Sequence, residues 1–167
     1  FFGLKGLFIA VTLGIMLANL QGGKVSDLNL FGQTFTVSMG AIMYSGIYFA
    51  TDLISEKYGR KEATKAVILG AISNIVIMFT LVLSTYYLPS SIAASSNSVH
   101  SAISTLALYS PIFVFGSITA YLISQTFDVW VFHKIKTLTN GKYLWLRNNI
   151  STMSSQALDT FIYTFVW

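Results

Sequence analysis

The sequence predicts an all-α protein, a polytopic bundle of transmembrane helices, on three observations. Of its 167 residues 54% are hydrophobic and only 10% are charged, a charge content well below that of soluble domains. The hydrophobic residues form long unbroken runs, and about 20 such residues cross the roughly 30 Å core of a bilayer. The runs lack the alternation of barrel strands, and in lipid only helices or closed barrels satisfy the backbone hydrogen bonds.

Five apolar segments are predicted as spans of one transmembrane domain, residues 1–167. They cover residues 4–20, 34–54, 66–88, 106–132 and 149–167. The first is predicted as a helix and not as a signal peptide, because no small-residue cleavage site follows it. The stretch "NLQGGKVSDLNLFGQ" is typical of a plain turn between spans, and "LPSSIAASSNSVHSAIS" is polar and proline-marked enough to be a loop.

The basic residues predict how the chain is oriented. Nine of the ten lie on one side of a five-span topology, and Lys24 is the exception. The positive-inside rule therefore predicts a multi-pass protein of the cell (inner) membrane with a cytoplasmic amino terminus. The basic residues fall in short loops and not in a stripe, so they indicate a lipid bilayer as partner and no nucleic acid. The chain has no cysteine, which excludes disulfides and thiolate metal sites.

Three aspartates lie inside the predicted spans. An ionised carboxylate near the middle of a bilayer costs about 2.5 to 3.5 kcal/mol, so each needs a partner or a purpose. At a rise of about 1.5 Å per residue, Asp52 and Asp128 lie within about 10 Å of the cytoplasmic ends of their helices. On the same scale Asp159 lies about 18 Å from Arg147, close to the middle of the membrane.

Each of these aspartates has polar or aromatic neighbours on the same helix face. They lie three or four residues away: Tyr48 beside Asp52, Gln125 beside Asp128, and Gln156 and Tyr163 beside Asp159. Residues at this spacing share one side of a helix. One interpretation is interhelical hydrogen bonding without a ligand, worth under about 2 kcal/mol per contact. Three such stripes, with every Lys and Arg outside the spans or at their ends, favour a binding cavity inside the bundle.

Carboxylates and carboxamides without cations suit a small, flat, mostly neutral ligand that is rich in N–H donors. A guanine-like edge has this pattern, and aromatic rings can cover its faces; a cation would also fit. An intramembrane enzyme is disfavoured because the chain contains no HExxH or GxSxG motif and no cysteine, and no cofactor or metal is predicted.

Three blocks resemble the queuosine precursor transporter family, also called the vitamin uptake transporter family. They are "FATDLISEKYGRKEA" at 49–63, "ISQTFDVWVFHKIK" at 123–136 and "LWLRNNISTMSSQALDTFIY" at 144–163. The resemblance implies a six-helix membrane protein similar to the substrate-binding subunits of energy-coupling-factor vitamin transporters. Five spans are visible here, so the last helix of the family is expected to be missing from this sequence.

The resemblance also implies a function. Members of the family import 7-deazaguanines such as 7-cyano-7-deazaguanine and 7-aminomethyl-7-deazaguanine for salvage of the tRNA nucleoside queuosine. The residues that match the family blocks are Asp52, Gln125, Asp128, Asn149, Gln156 and Asp159. Another purine or vitamin-like heterocycle, or a non-transporting assembly subunit, is the alternative. Proton coupling through Asp159 and facilitated diffusion both stay open, and the sequence is compatible with a homodimer.

Overall fold

The computed structural model describes residues 3–93, 95–107 and 111–166, without the side chains of residues 111–115, 163 and 166. These ranges contain six helices and one β-hairpin. In chain order they are α1 Gly3–Gly22, β1 Val25–Leu30, β2 Gln33–Ser38, α2 Met39–Tyr58, α3 Arg60–Thr85, α4 Ser96–Ala107, α5 Pro111–Leu138 and α6 Leu144–Val166.

Each of the five predicted apolar segments coincides with one of the long helices, α1, α2, α3, α5 and α6. The observed helix boundaries differ from the predicted ones where polar residues continue a helix or delay its start. Helix α2 begins at Met39 because Ser38 caps it: the Ser38 hydroxyl accepts from the Gly40 amide at 3.3 Å and donates to the Gly22 carbonyl at 2.8 Å. Helices α2 and α3 meet at Gly59, whose φ of 86° suits glycine.

The plain turn predicted after the first span was wrong, because this segment forms an antiparallel hairpin. Strands β1 and β2 pair from Val25 opposite Ser38 to Leu30 opposite Gln33. Positive φ angles at Phe31 and Gly32, 53° and 79°, match a two-residue hairpin loop. A phenylalanine rarely adopts positive φ, so the loop lacked the usual sequence signal.

The loop predicted before the fourth span was wrong in part, since it contains α4. This helix has 12 residues, fewer than the roughly 20 that cross a bilayer. The Ser90 amide donates to the Ser96 hydroxyl at 2.8 Å and joins the preceding segment to the start of α4. Helix α5 then begins at Pro111, at a position where proline loses no helical hydrogen bond.

Small residues let the helices approach closely. Helix α1 packs against α2 and α3, and α5 packs against α6, α3 and α2. A Cβ atom at Gly40 would lie 2.6 Å from the carbonyl oxygen of Ala18, so α2 touches the α1 backbone there. At Gly70 of α3 a Cβ would collide with the Tyr121 hydroxyl of α5. The apolar core between these helices includes Val11, Ile15, Ile47, Ile54 and Val67.

The distribution of polar and apolar side chains differs from that in a soluble protein. Helix α3 exposes a row of large apolar residues: Ile68, Leu69, Ile72, Ile75, Val76 and Phe79. Polar side chains are buried instead: Thr51, Asp52, Ser124, Gln125, Asp128, Ser151 and Ser155. This arrangement is typical of helices surrounded by lipid. Within the described ranges, α1 and α3 are long and apolar enough to cross a membrane; spans at α2, α5 and α6 remain predictions.

Candidate ligand-binding site

A cavity of about 360 Å³ opens between α1, α2 and α5, and α6 contributes one carboxylate to it. Its wall is made mostly of small residues, and its polar side chains are Asn19, Ser38, Tyr44, Ser117 and Asp159. The volume falls within the range of about 300 to 1,000 Å³ that is usual for small-molecule sites. The small residues leave the space, and the few polar groups can orient a ligand inside it.

A second pocket of about 230 Å³ adjoins this cavity. The two share Ala41, Tyr44 and Asp159, and the second adds Tyr48, Gln156 and neighbouring hydroxyls. We call the two together the ligand cavity. It brings the Gln156 carboxamide and the Asp159 carboxylate, three residues apart on α6, to one wall beside two tyrosines of α2.

Hydrogen bonds hold the polar groups of the ligand cavity in place. The Ser124 hydroxyl donates to Oδ1 of Asp159 at 3.0 Å. Opposite, the Ser117 hydroxyl donates to Oδ1 of Asn19 at 2.8 Å, and Nδ2 of Asn19 donates to the Ile15 carbonyl at 2.9 Å. Each of these hydrogen-bond partners lies on a helix and not on a loop, so the polar groups need little reorganisation to bind a ligand.

The other two aspartates lie deeper and face each other. Asp52 of α2 and Asp128 of α5 have their carboxyl groups within hydrogen-bonding range, and their side chains are 3% and 0% exposed. The Thr152 hydroxyl donates to Oδ2 of Asp52 at 3.3 Å, and the Ser155 hydroxyl donates to Oδ1 of Asp128 at 2.9 Å. Helix α6 therefore supplies a donor to each member of the pair.

Gln125 is completely buried beside this pair. Its Oε1 accepts from the Thr51 hydroxyl at 3.3 Å. Its Nε2 has no hydrogen-bond partner in the part of the chain that the structure describes. An unpartnered buried donor costs about 1 to 3 kcal/mol, so this amide is held in place at some expense in stability.

The eight residues singled out from the sequence fall into three groups. Tyr48, Gln156 and Asp159 line the ligand cavity, while Asp52, Gln125 and Asp128 form the buried polar layer next to it. Asn149 is exposed and donates to the Trp145 carbonyl of its own helix at 2.8 Å. The side chain of Tyr163 lies outside the described residues.

A third cavity of about 560 Å³ lies between the end of α2 and the start of α6, at the opposite end of the bundle from the hairpin. Asp52, Glu56, Asn148 and Asn149 line it together with apolar residues. Asp52 thus borders this second space, which we call the basic-end cavity after the lysines and arginines that surround this end. The three aspartates do not line one common cavity in this structure.

An ion network closes the basic end, and sequence reasoning missed it. Arg147 is only 1% exposed, and its Nη2 lies 2.6 Å from Oε2 of Glu56. Lys136 of α5 reaches the same oxygen at 2.9 Å, so α2, α5 and α6 meet at Glu56. Burial raises the pKa of Glu56, but the hydrogen bonds and charges of Lys136 and Arg147 outweigh it and hold the pKa below 4.5.

Three residues of the ligand cavity were also missed. Tyr44 lies four residues before Tyr48, so the helical spacing that selected Tyr48 could have found it. Asn19 and Ser117 offered no such signal, because each is a single polar residue in an apolar run and only tertiary packing brings them together.

Comparison with known proteins gives a family match over most of the chain. Residues 38–167 match the sequence model of a family described as "Putative vitamin uptake transporter". This range contains all three sequence blocks and the eight residues singled out from the sequence. The chain belongs to the vitamin uptake transporter family. The resemblance inferred from the three blocks is thereby confirmed.

Two relatives within this family are similar along nearly the whole chain. A Bacillus subtilis (strain 168) protein named "Probable queuosine precursor transporter" is 40% identical over 99% of this chain and 69% of its own length. A Haemophilus influenzae protein of the same name is 23% identical over 93% of this chain and 60% of its own length. No solved structure matches the chain.

The family assignment agrees with two predictions from the sequence. The relatives are named as transporters, which confirms the prediction that disfavoured an enzyme. A transporter family also implies a membrane protein, in agreement with the apolar outer surface of α3.

Proposed function

We propose that this chain is a membrane transporter that imports queuosine precursors, 7-cyano-7-deazaguanine and 7-aminomethyl-7-deazaguanine, for queuosine salvage. The observation that carries the choice of substrate is the 40% identity to a relative named as such a transporter. The ligand cavity supports it chemically, because its polar groups suit a flat base with several N–H donors.

In the proposed binding mode the base lies in the ligand cavity against α6. Asp159 accepts from the ring N–H and the exocyclic amine of the base, since a carboxylate can bond two adjacent donors. Gln156, one helical turn away, donates to the carbonyl group. Tyr44 and Tyr48 of α2 cover a face of the ring. Asn19 and Ser117 face the 7-substituent, the group in which the two precursors differ.

The buried polar layer has a supporting role in this proposal. Gln125 and Asp128 lie next to the residues of the ligand cavity and hold α5 against α2 and α6. Asp52 and Asn149 border the basic-end cavity, on the route by which the base leaves. Together with Gln156, Asp159, Tyr48 and Tyr163, these four residues form the proposed substrate path.

The proposed orientation follows from charge. The basic end, with Glu56, Lys136 and Arg147, faces the cytoplasm, and the hairpin and α4 face the opposite side. The amino terminus is then cytoplasmic and the protein lies in the cell (inner) membrane. Substrate enters the ligand cavity from the hairpin side and leaves through the basic-end cavity.

The proposal is tested by queuosine salvage in cells that cannot synthesise the precursor. We expect tRNA queuosine to appear when wild-type protein and 7-cyano-7-deazaguanine are both supplied, and to be lost with Asp159→Asn. The matched control is Asp27→Asn, a change at an exposed hairpin aspartate whose hydrogen bond from Thr36 an asparagine oxygen can keep. Salvage by the Asp159→Asn variant at the wild-type rate, with equal protein in the membrane, would reject the proposed site.

The same cells separate the alternatives. Adenine, guanine and a vitamin-like heterocycle are added in excess as competitors. We expect only deazaguanines and guanine-like bases to reduce salvage. Absence of salvage by the wild-type protein would favour another cargo or a non-transporting assembly subunit.

A further inference from the structure

The contact between Asp52 and Asp128 leaves two oxygen atoms without partners. Thr152 and Ser155 each donate to one oxygen of the pair. The remaining oxygens, Oδ1 of Asp52 and Oδ2 of Asp128, are buried and have no hydrogen-bond donor within the described ranges. Carboxylate oxygens only accept hydrogen bonds. Two ionised carboxylates in contact here have no hydrogen between them. One added proton would join them by a hydrogen bond.

No cation neutralises this pair in the part of the chain that the structure covers. The lysine and arginine ion pairs found there go to Glu56 and Glu62 and not to either aspartate. The titratable groups near the pair include Tyr48 of α2, which faces Asp128, and Asp159 of α6, which faces Tyr48. Glu56 of α2 lines the basic-end cavity together with Asp52. Two adjacent negative charges repel strongly where water is excluded, and one proton shared by the pair would remove this repulsion.

The pair lies between two cavities. Asp52 lines the basic-end cavity, whereas Asp159 and Tyr48 line the ligand cavity. Between them the Tyr48 hydroxyl lies close to Ser124 and Ser155. Ser124 donates to Asp159 and Ser155 donates to Asp128. Hydroxyl and carboxyl groups thus lie between the ligand cavity and the opposite end of the bundle, and the Tyr48 hydroxyl among them has no hydrogen-bond partner in the described residues.

We propose that Asp52 and Asp128 form the coupling site of this protein, where one proton is carried across the membrane together with each molecule of substrate. This proposal deepens the proposed function and rests on it. The proton enters through the ligand cavity, is held between the two carboxyl groups and leaves from Asp52 into the basic-end cavity. Because 7-cyano-7-deazaguanine is neutral, each cycle with this substrate moves one positive charge and one base, and the pair returns to its starting state.

The test uses purified protein in liposomes and radiolabelled 7-cyano-7-deazaguanine. Exchange of labelled for unlabelled base at equal pH measures transport without any driving force. Accumulation against a concentration gradient, with the outside one pH unit more acidic, measures coupling. With the membrane potential held at zero, one proton per base allows about tenfold accumulation per pH unit. We expect wild-type protein to exchange and to accumulate. Asp52→Asn and Asp128→Asn, whatever their rate of exchange, should stop at equal concentrations of the base on the two sides.

The asparagine variants keep the packing, because the asparagine amide can donate to the open oxygen of the remaining aspartate. Asp27→Asn is the matched control and should accumulate like wild type. A pH dye inside the liposomes gives an independent readout in wild-type protein. Addition of 7-cyano-7-deazaguanine outside should acidify the interior by one proton for each molecule taken up.

The outcomes separate this inference from the function on which it rests. Wild-type exchange without any response to the pH gradient, or accumulation driven by a sodium gradient instead, overturns the coupling site and leaves the transporter intact. Accumulation by Asp52→Asn and Asp128→Asn equal to wild type also overturns it. Absence of exchange by wild-type protein contradicts the proposed function, and the coupling site with it.

Discussion

The guanidinium of Arg147 is buried at the start of α6 and forms a salt bridge of 2.6 Å with Glu56 near the end of α2. Its Nη1 donates to the carbonyls of Gly141 and Lys142 at 3.0 and 3.2 Å, and its Cζ lies 5.3 Å from the centre of the Phe132 ring. One cation thus ties together three helices at the basic end.

Glu56→Gln removes the only carboxylate that Arg147 contacts among the described residues. A buried charge that loses its partner is destabilising, but Arg147 keeps two carbonyl acceptors and Glu56 is 33% exposed. We therefore expect a loss of about 1 to 3 kcal/mol of unfolding free energy, measured by denaturation in detergent. Glu62→Gln, at an exposed pair with Lys65, is the control and should cost less than about 1 kcal/mol. Equal losses in the two variants would contradict a structural role for Arg147.

The same contact predicts a pH dependence of stability. Burial acts to raise the pKa of Glu56, but Lys136 and Arg147 together hold it below 4.5. A lowered folded-state pKa stabilises the protein fully above the unfolded value and loses this effect as the pH falls through the folded value. The difference in Tm between wild-type protein and Glu56→Gln should be constant near neutral pH and disappear in acid. A difference that grows in acid would mean that Glu56 is not held as a carboxylate.

Gly40 sets the distance between α1 and α2. Alanine there would bring a Cβ within 2.6 Å of the Ala18 carbonyl oxygen, and backbone cannot move aside easily. We expect Gly40→Ala to cost about 1 to 3 kcal/mol, as overpacking does. Gly46→Ala in the same helix meets nothing within 4 Å and should be neutral or stabilising. The two Tm values measured side by side check the helix packing; similar values would contradict it.

A substitution at Gln125 can separate the contribution of this side chain to stability from its contribution to function. Its one hydrogen bond is long and its Nε2 is unpartnered, so replacement by an apolar residue of similar size should cost little. We expect Gln125→Met to melt at or above the wild-type temperature without ligand, and to transport 7-cyano-7-deazaguanine at least tenfold more slowly. A less stable variant that transports normally would show that Gln125 is structural and not part of the substrate path.

The sequence predicted the long helices well because burial in lipid demands about 20 apolar residues whatever their neighbours. It also placed Asp52 and Asp128 at a similar depth, and the structure brings them into contact. That contact itself was not predictable, because it depends on the rotation of α2 and α5 about their axes. Asp159 lies at a different depth and accordingly reaches Ser124, one turn away from Asp128 on α5.

The hairpin and Arg147 show where sequence reasoning failed. The strongest hairpin signals are Asn-Gly and Asp-Gly loops, and here Phe31 precedes Gly32 at a position of positive φ. Arg147 was assigned to a span end and thus to water. Its burial results from Glu56 and two loop carbonyls, none of which lies within one helical turn of it in α6.

The most direct test of the account is calorimetric titration of purified protein with 7-cyano-7-deazaguanine. We predict one saturable site in wild-type protein and in Asp27→Asn, and a loss of at least tenfold in affinity in Asp159→Asn, as expected for a charged acceptor bonded to two donors. Ligand should also raise the Tm of wild-type protein in proportion to the logarithm of its concentration above Kd. Equal affinity in wild-type protein and Asp159→Asn, or no heat of binding in folded wild-type protein, would contradict the proposal that a 7-deazaguanine occupies the ligand cavity.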